Sequence, residues 1–385
     1  MREFVIGLST KIYFGTHITE AALKQESRWF QGNIMIVTTG RSLITYGYLD
    51  SLQECLKEQT KGEIIIFDKI SRNPKLEEVR QAIRIGKEKQ VRTVIGFGGG
   101  SAIDGAKAAA AGIPLTEDIE KCLLGGKEPP EDTLPIIAIP TTAGTGSELS
   151  KGAILSSPQH HVKAGIRGKN ILPKAAIVDA GYTWTLPERT TMETGFDVLA
   201  HGIESYVSVK ATLFSEMLSE KAIRIVGECL PLLKNQPNDR EAREKMCFAS
   251  MLMGMNLADV GTCLPHRMQY PIGAATDTSH GAGLMALYPA WIAGEYDVNS
   301  DRINHVLHWL GLGQAANAQQ AKEKFVNFLQ KIEGIYSLKD LGITESMGDS
   351  LSSQVSGNLK NDKLAEIPHI IETIYKQSIW KGEIF

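Results

Sequence analysis

The sequence has no long apolar run and no surplus of charge. No stretch approaches the roughly 20 consecutive apolar residues that a membrane-spanning helix needs. Residues 1–15 lack the basic start, apolar stretch and small-residue cleavage site of a secretion signal. A soluble, unexported, cytoplasmic protein is expected. With 41 basic against 44 acidic residues, the formal net charge is −3, so the broad basic field that draws nucleic acid or an anionic membrane is missing. Neither is expected as a partner. Cysteine is scarce too. Cys55, Cys122, Cys229, Cys247 and Cys263 are scattered, odd in number and free of any Cys-x-x-Cys pair, which excludes a disulfide framework and a zinc ribbon. Cys263, three residues before His266, reads as a small buried hydrophobe rather than a ligand. There is no internal repeat, low-complexity segment or long charge run.

What is present is enough for two cores. At 385 residues the chain is long for one, so two domains are expected. Phe4 to Phe14 alternates around Gly7 and reads as a short hairpin, followed by a helix over Ile18 to Trp29. Strand-like Asn33 to Thr38, Glu63 to Phe67, Thr93 to Phe97 and Pro135 to Ile139 alternate with helical segments. These open at Ser42 with a Ser cap, span Pro74 to Gln90, and span Ser101 to Ala111. Shorter β runs at Gly152 to Ser156, Val162 to Ile166 and Ala175 to Val178 end this half at Asp179. Such alternation means a parallel sheet covered by helices on both faces. From Leu186 the apolar spacing turns helical, as in Phe214 to Leu233, Asp239 to Asp259, Ile303 to Leu310 and Ala318 to Ile332. The expected division is an α/β domain over residues 1–182 and a nearly all-helical one over 183–385.

The second half carries a metal-ligand pattern. Asp197 and His201 stand four residues apart in a segment whose Phe196, Leu199, Ala200 and Ile203 recur at helical spacing, so they share a helix face. His266 and His280 come from another part of the chain. Each histidine alone is explained as well by an ordinary surface or core role. Together, three imidazoles and one carboxylate are a complete ligand set for a divalent transition metal.

The first half carries two small-residue loops. Gly98-Gly99-Gly100-Ser101 lies between a strand and a helix, with Asp104 and Lys107 in that helix's first two turns. Glycines let the backbone approach a phosphate, and free amides at a helix start bind a diphosphate. The run is not the G-x-G-x-x-G fingerprint, and a tight turn without a ligand is the other reading. Thr141, Thr142, Gly144, Thr145, Gly146 and Ser147 form a second loop after the next strand. Loops at the carboxyl ends of parallel strands line the ligand crevice.

Order and spacing together carry a resemblance. Gly-Gly-Gly-Ser-Ala-Ile-Asp-Gly-Ala-Lys at 98–107 is followed by Pro-Thr-Thr-Ala-Gly-Thr-Gly-Ser-Glu at 140–148, then by Lys163 ahead of Leu-Pro-Lys-Ala-Ala-Ile-Val-Asp at 172–179. Asp197-x-x-x-His201-x-x-Glu204 comes next, and His280-Gly stands fourteen residues after His266. The chain resembles the iron-containing (group III) alcohol dehydrogenases over most of its length. That implies a Rossmann-like α/β N-terminal domain with a parallel sheet, an all-α C-terminal domain of the dehydroquinate synthase-like fold, and a deep cleft between them. By the resemblance, Asp197, His201, His266 and His280 bind Fe(II), although the ligands suit Zn(II) as well. Gly98, Gly99, Gly100, Ser101 and Asp104 belong to the cofactor-diphosphate motif. Thr141, Thr142 and Thr145 line the adenosine and ribose, and Lys163 approaches the nicotinamide ribose.

Two departures matter. Many members have a second His four residues after the third ligand; here it is Tyr270, as in the family's hydroxyacid-oxoacid transhydrogenases and phosphonoacetaldehyde reductases. Tyr270 is the candidate catalytic residue for proton transfer, with a packed aromatic as the other reading. NAD-preferring relatives place Asp at the end of the second strand, where this chain has Thr38-Thr39-Gly40-Arg41-Ser42. With Thr39 in that region, no carboxylate and Arg41 at hand, NADP is favoured over NAD, unless Arg41 simply faces solvent.

The function these features imply is a metal-dependent, NAD(P)-linked oxidoreductase. It interconverts an alcohol and an aldehyde or ketone by hydride transfer at a substrate oxygen held by the metal. A hydroxyacid-oxoacid transhydrogenase and a sugar-phosphate cyclase of the dehydroquinate synthase type are the alternatives. Arg267 stands where a small residue is commoner in the family and is a candidate for meeting an anionic substrate group; solvent or a neighbouring acid would serve it equally. Self-association into a homo-oligomer is left open.

Overall fold

Alternating β-branched runs and amphipathic helices build the first unit of the chain, Ile6–Leu186. In this computed structural model residues 2–160, 162–334 and 336–379 are described. The elements of the unit are β1 (Lys11–Gly15), α1 (Thr19–Gln25), β2 (Asn33–Thr39), α2 (Ser42–Thr45), α3 (Tyr48–Lys57), β3 (Ile64–Ile70), α4 (Leu76–Glu88), β4 (Val91–Gly98), α5 (Gly100–Gly112), α6 (Glu120–Leu123), β5 (Ile136–Pro140), β6 (Gly152–Ser157), β7 (Val162–Arg167) and β8 (Ala175–Asp179). Six strands form one parallel sheet in the order β1-β8-β5-β4-β2-β3, while β6 and β7 pair antiparallel on their own.

The period of two along each strand divides the core. Ile34, Ile36, Ile95, Phe97, Ile137 and Ile139 face the layer containing Leu23, Leu49, Leu52 and Leu56 of α1 and α3. Met35, Val37, Val94 and Ile136 face Val79, Ala82, Ala106 and Ala109 of α4 and α5. Each such Ile, Val or Phe, fully buried, contributes about 1.5–3 kcal/mol over exposure. Both faces of the sheet are therefore closed, as parallel sheets require.

Two local expectations are corrected. The hairpin over Phe4 to Phe14 does not form, and only Lys11–Gly15 is a strand. It joins β8 in parallel, Lys11 opposite Ala175, while Phe4, Val5, Ile6 and Leu8 stay exposed. The sheet edge supplies a long-range partner that outcompetes a local turn at Gly7. Ser42 is not a cap either, since Arg41 occupies that place without a side-chain bond. The helix is then broken in two by Gly47, whose φ of 70° is left-handed.

The second unit, Pro187–Phe385 with Met1–Val5, is helical: α7 (Glu188–Val207), α8 (Leu213–Asn235), α9 (Arg240–Asp259), α10 (Leu264–Thr276), α11 (His280–Trp309), α12 (Ala318–Lys331), α13 (Gly348–Gln354) and α14 (Ile370–Ser378). Side-chain caps set four of the starts. Thr212, Asp239, Ser279 and Asn317 accept from the amides of Ser215, Ala242, Ala282 and Gln320. Every residue of α7 from Gly195 to Val207 is buried, so this helix is the centre of its unit. Residues 303–310, expected as a short helix, are the end of the much longer α11, which bends at Asn299. Among the described residues no single helix is long and apolar enough to cross a membrane.

One carboxylate fastens the edge of the sheet. Asp179, ending β8, accepts from the amides of His17 (2.8 Å), Thr19 (3.2 Å) and Gly181 (3.1 Å) and from the Thr19 hydroxyl (2.8 Å). His17 is held at a φ of 57° by this arrangement. Asp179→Ala removes every one of these acceptors, and the expected loss is about 3 kcal/mol, since bonds to a charged acceptor are each worth about 1.5–3 and do not add fully. The midpoint of urea unfolding measures it, and a midpoint equal to wild type would show that the turn holds without the carboxylate.

Candidate functional site

On α7, Asp197, His201 and Glu204 follow at intervals of four and three, so all three lie on one helix face, and each is buried. His266 comes from the first turn of α10, and His280 is the first residue of α11. The Nε2 atoms of His266, His280 and His201 lie 3.4, 3.6 and 3.8 Å from Asp197 Oδ1. Four ligands at about 2.1 Å from a tetrahedral ion stand about 3.4 Å from one another, so this spacing suits a metal.

The outer nitrogens explain how the imidazoles are aimed. His266 Nδ1 donates to Glu204 Oε1 at 2.6 Å, and His280 Nδ1 donates to Gln269 Oε1. Acceptors on the outside leave the lone pairs of Nε2 pointing inward. Glu204 is itself held by the Tyr288 hydroxyl (3.0 Å) and the Cys263 amide (2.7 Å). Gly281 is a steric requirement, because a Cβ there would lie 2.2 Å from the Glu193 carbonyl oxygen. Its absence lets the start of α11 close onto α7 and bring His280 to Asp197.

Electrostatics agree with a cation among these groups. Asp197 Oδ1 is buried without a hydrogen-bond partner, and the Nε2 atoms of His201 and His266 are 2.9 Å apart. Two facing lone pairs at that distance repel unless a proton or a metal ion stands between them. Burial opposes a charge on His266, yet Glu204 and Asp197 overrule it and, with no other cation in place, push its pKa up to about 10. Burial likewise opposes the charge of Asp197, but His201 and His280 outweigh it and hold the carboxyl well below its ordinary range. A divalent ion would satisfy the same acceptors that now call for a proton. Asp197, His201 and His266 offer ligand atoms that all lie within 4.8 Å of one another. The residues fit a metal.

Tyr270, one turn beyond His266, places its ring 6.3 Å from that of His280. Glu204, Gln269 and Gly281 were not singled out as site residues from sequence. The one available signal was Glu204, which extends the Asp197–His201 face by another turn.

In the first unit, the crevice position is set by topology. β2 and β4 are neighbours, but the chain leaves β2 towards β3 on one side and leaves β4 towards β5 on the other, which opens a crevice at their carboxyl ends. Thr39 ends β2 and Gly98 ends β4; a Cβ on Gly98, whose φ is 149°, would lie 3.6 Å from Thr39 Oγ1. The second loop lies against the first. The Thr141 amide donates to the Gly98 carbonyl at 2.9 Å. A Cβ on Gly100 would stand 2.6 Å from Thr145 Oγ1, and one on Gly99 3.3 Å from Thr142 Oγ1. The start of α5 at Gly99 has no side-chain cap, which leaves its amides to a phosphate.

Asp104 and Lys107 lie beneath these loops. Asp104 accepts from the Ser147 hydroxyl and from the Ile154 amide (2.9 Å), so its two oxygens hold the end of the threonine loop and the strand β6 that follows it. Lys107, fully buried, donates to the carbonyls of Ser147 (2.6 Å), Ser150 (2.9 Å) and Gly152 (2.9 Å). Burial pulls its pKa down to about 8 against Asp104 and Glu148, which leaves it charged at neutral pH. Burial raises Glu148 to about 7. The bonds of Asp104 make it an anchor of the loop on which cofactor contacts are expected. The Ser101 hydroxyl donates to the Arg72 carbonyl, and Lys163 Nζ lies 2.9 Å from Asn73 Oδ1.

Comparison with known proteins bears on both halves. Iron-containing alcohol dehydrogenase is the family whose model matches residues 9–180, and the C-terminal model of the Fe-containing alcohol dehydrogenase family matches 191–376. The long-chain primary alcohol dehydrogenase AdhA of Thermoanaerobacter ethanolicus is 29% identical over 357 residues, 90% of this chain and 89% of its own. Among solved structures, the archaeal halo-thermophilic alcohol dehydrogenase ADH/D1 from a Red Sea brine pool superposes with a TM-score of 0.91 at 26% identity, covering 98% of this chain and 100% of its own. Sulfoacetaldehyde reductase from Bifidobacterium kashiwanohense in complex with NAD+ does so with a TM-score of 0.87 at 27% identity, covering 99% and 100%.

The geometry around Glu204 yields a prediction. Glu204→Gln keeps the volume but replaces the charged acceptor of His266, and metal affinity is expected to fall about 10–100-fold. Competition against a chelator measures this. An affinity equal to wild type would leave Glu204 with no part in holding the metal.

Proposed function

The chain belongs to the iron-containing alcohol dehydrogenase family, and we propose that it is a metal-dependent, NAD(P)-linked dehydrogenase interconverting an alcohol with an aldehyde or ketone. The observation that carries this reading is the convergence of three imidazoles on the unpartnered Asp197 oxygen. When bound, a divalent ion supplies Lewis acidity to the substrate oxygen, and a nicotinamide supplies or accepts hydride. In reduction, one hydride goes to the carbonyl carbon and one proton to its oxygen, with NAD(P)H oxidised to NAD(P)+.

The chain's own residues then have distinct tasks. Asp197, His201, His266 and His280 hold the ion, Fe(II) before Zn(II), and Glu204 and Gln269 keep two of the imidazoles in the ligating tautomer. Gly98 to Ser101 and Thr141, Thr142 and Thr145 receive the nucleotide on loops that Asp104 and Lys107 stiffen from below. Lys163 approaches the ribose. The Tyr270 hydroxyl passes the proton of the substrate oxygen.

The test is reduction of a panel of aldehydes with NADH and NADPH by protein reconstituted anaerobically with Fe(II) or Zn(II). Metal-dependent net turnover is expected, with Tyr270→Phe lowering kcat by about 10²-fold at unchanged metal content. Tightly retained nicotinamide without net turnover would instead favour transhydrogenation. A pH–rate profile of Tyr270→Phe that overlays wild type would remove the tyrosine from the proton path.

Cofactor choice has its own test. Arg41 is exposed beside the end of β2, and no carboxylate follows Thr39, which favours NADP. Thr39→Asp would repel a 2′-phosphate and move the kcat/KM ratio about tenfold or more towards NAD, on the scale of 1.4 kcal/mol per decade. An unchanged ratio would show that this strand end does not read the ribose.

A further inference from the structure

Arg267 follows His266 directly on α10, and among the described residues its guanidinium meets the face of an aromatic ring but no carboxylate. The side chain is 9% exposed. Its Nε is buried without a hydrogen-bond partner, and among the described residues no ion pair reaches its guanidinium. The guanidinium carbon lies 5.8 Å from the centre of the Tyr270 ring, and that ring is the one beside His280. Gly357 is close as well, and a Cβ there would come within 3.4 Å of Arg267 Nη1.

The acids around Cys263, one turn before Arg267, are engaged elsewhere. Asp362 accepts from the Leu264 amide, the Trp291 indole and the Leu364 amide. Glu204 is taken by His266, Tyr288 and Cys263. Glu295 is fully buried, and burial together with Asp362 pushes its pKa to about 9, so at neutral pH it is uncharged. A buried cation without a counter-charge is costly, and a fold retains one where an anion meets it in use. The planar fork of a guanidinium matches the oxygens of a carboxylate, sulfonate or phosphonate.

We propose that Arg267 is the specificity-determining residue of the substrate site, and that the carbonyl substrates this protein takes best are short aldehydes carrying an anionic head group. The inference rests on the dehydrogenase reading above. It assigns the aldehyde end to the metal centre and the anionic end to Arg267, with Tyr270 alongside.

The test uses the metal-reconstituted protein with paired aldehydes of similar length: succinic semialdehyde against pentanal, and sulfoacetaldehyde and phosphonoacetaldehyde against butanal. Wild type is expected to favour each anionic member at least about tenfold in kcat/KM, and the pairs identify which head group fits. In Arg267→Met that preference should fall by roughly 10–100-fold, the range for one charge-assisted bond, and through KM. Arg267→Lys should recover part of it. In parallel, calorimetric titration with ethanesulfonate, which cannot react, should show binding to wild type that Arg267→Met loses. Neutral aldehydes preferred by wild type, or both classes equally affected by Arg267→Met, would overturn the proposal while leaving the dehydrogenase reading intact. If no aldehyde is reduced but ethanesulfonate still binds through Arg267, the dehydrogenase reading fails and the anion site stands. If neither occurs, both fail.

Discussion

A single carboxylate oxygen, Asp197 Oδ1, is the point on which the helical unit depends. It is buried with no hydrogen bond, and three elements are shaped to surround it. α7 is buried along the length that carries it, which fixes Asp197 and His201 with little freedom. Glu204, on the same helix, both orients His266 and accepts from the Cys263 amide at the start of α10, so the helix that delivers His266 is positioned by the residue that aims it. Gly281 lets α11 close on α7. Backbone placement and imidazole orientation are thus coupled through the Glu204 carboxylate, and disturbing either should alter how the three imidazoles converge on Asp197.

The nucleotide unit solves a different problem with the same means. A glycine-rich turn and a threonine loop are poor at holding a shape by themselves, because glycine is free to leave any conformation. Asp104 and Lys107, three residues apart on α5, bind the end of the threonine loop and the start of β6 through a hydroxyl, an amide and three carbonyls. A buried ammonium meeting three carbonyls acts as an internal cation around which the backbone folds. The cost of burying it is offset by bonds that the loop would otherwise make to water.

How legible this was depended on whether a feature is local. Runs such as Asn33 to Thr38 and Thr93 to Phe97 showed the parallel sheet, because strands buried on both faces must be apolar throughout. The four-residue interval from Asp197 to His201 showed a shared helix face. By contrast, Phe4 to Phe14 alternated convincingly, yet its pairing partner lay at Ala175 to Asp179, and no local pattern reveals a distant competitor. Asp104 and Lys107 were visible as residues of the phosphate turn, but which way they point depends on the loop packed against them. Gln269 carried no sequence signal at all, since an amide becomes a histidine's partner only through the meeting of α10 with α11.

The helical unit also shows what remains after its buried charges are sorted. Glu204 is met by three donors, Asp362 by three more, and Arg243 by the Pro237 carbonyl and the Thr191 hydroxyl. Glu295 escapes the penalty by holding its proton. Two ionised groups are left for which the protein offers no settled counterpart among the described residues: Asp197 Oδ1, faced only by imidazoles, and Arg267. They are of opposite sign; Asp197 Oδ1 lies 3.4 Å from His266 Nε2, and the Arg267 guanidinium lies 5.8 Å from the Tyr270 ring. Local rules of burial are broken where function requires it. On the proposed reading, such a pair of breaks would give the site a polarity, a cation at Asp197 and an anion at Arg267, of which an uncharged alcohol would use only one end.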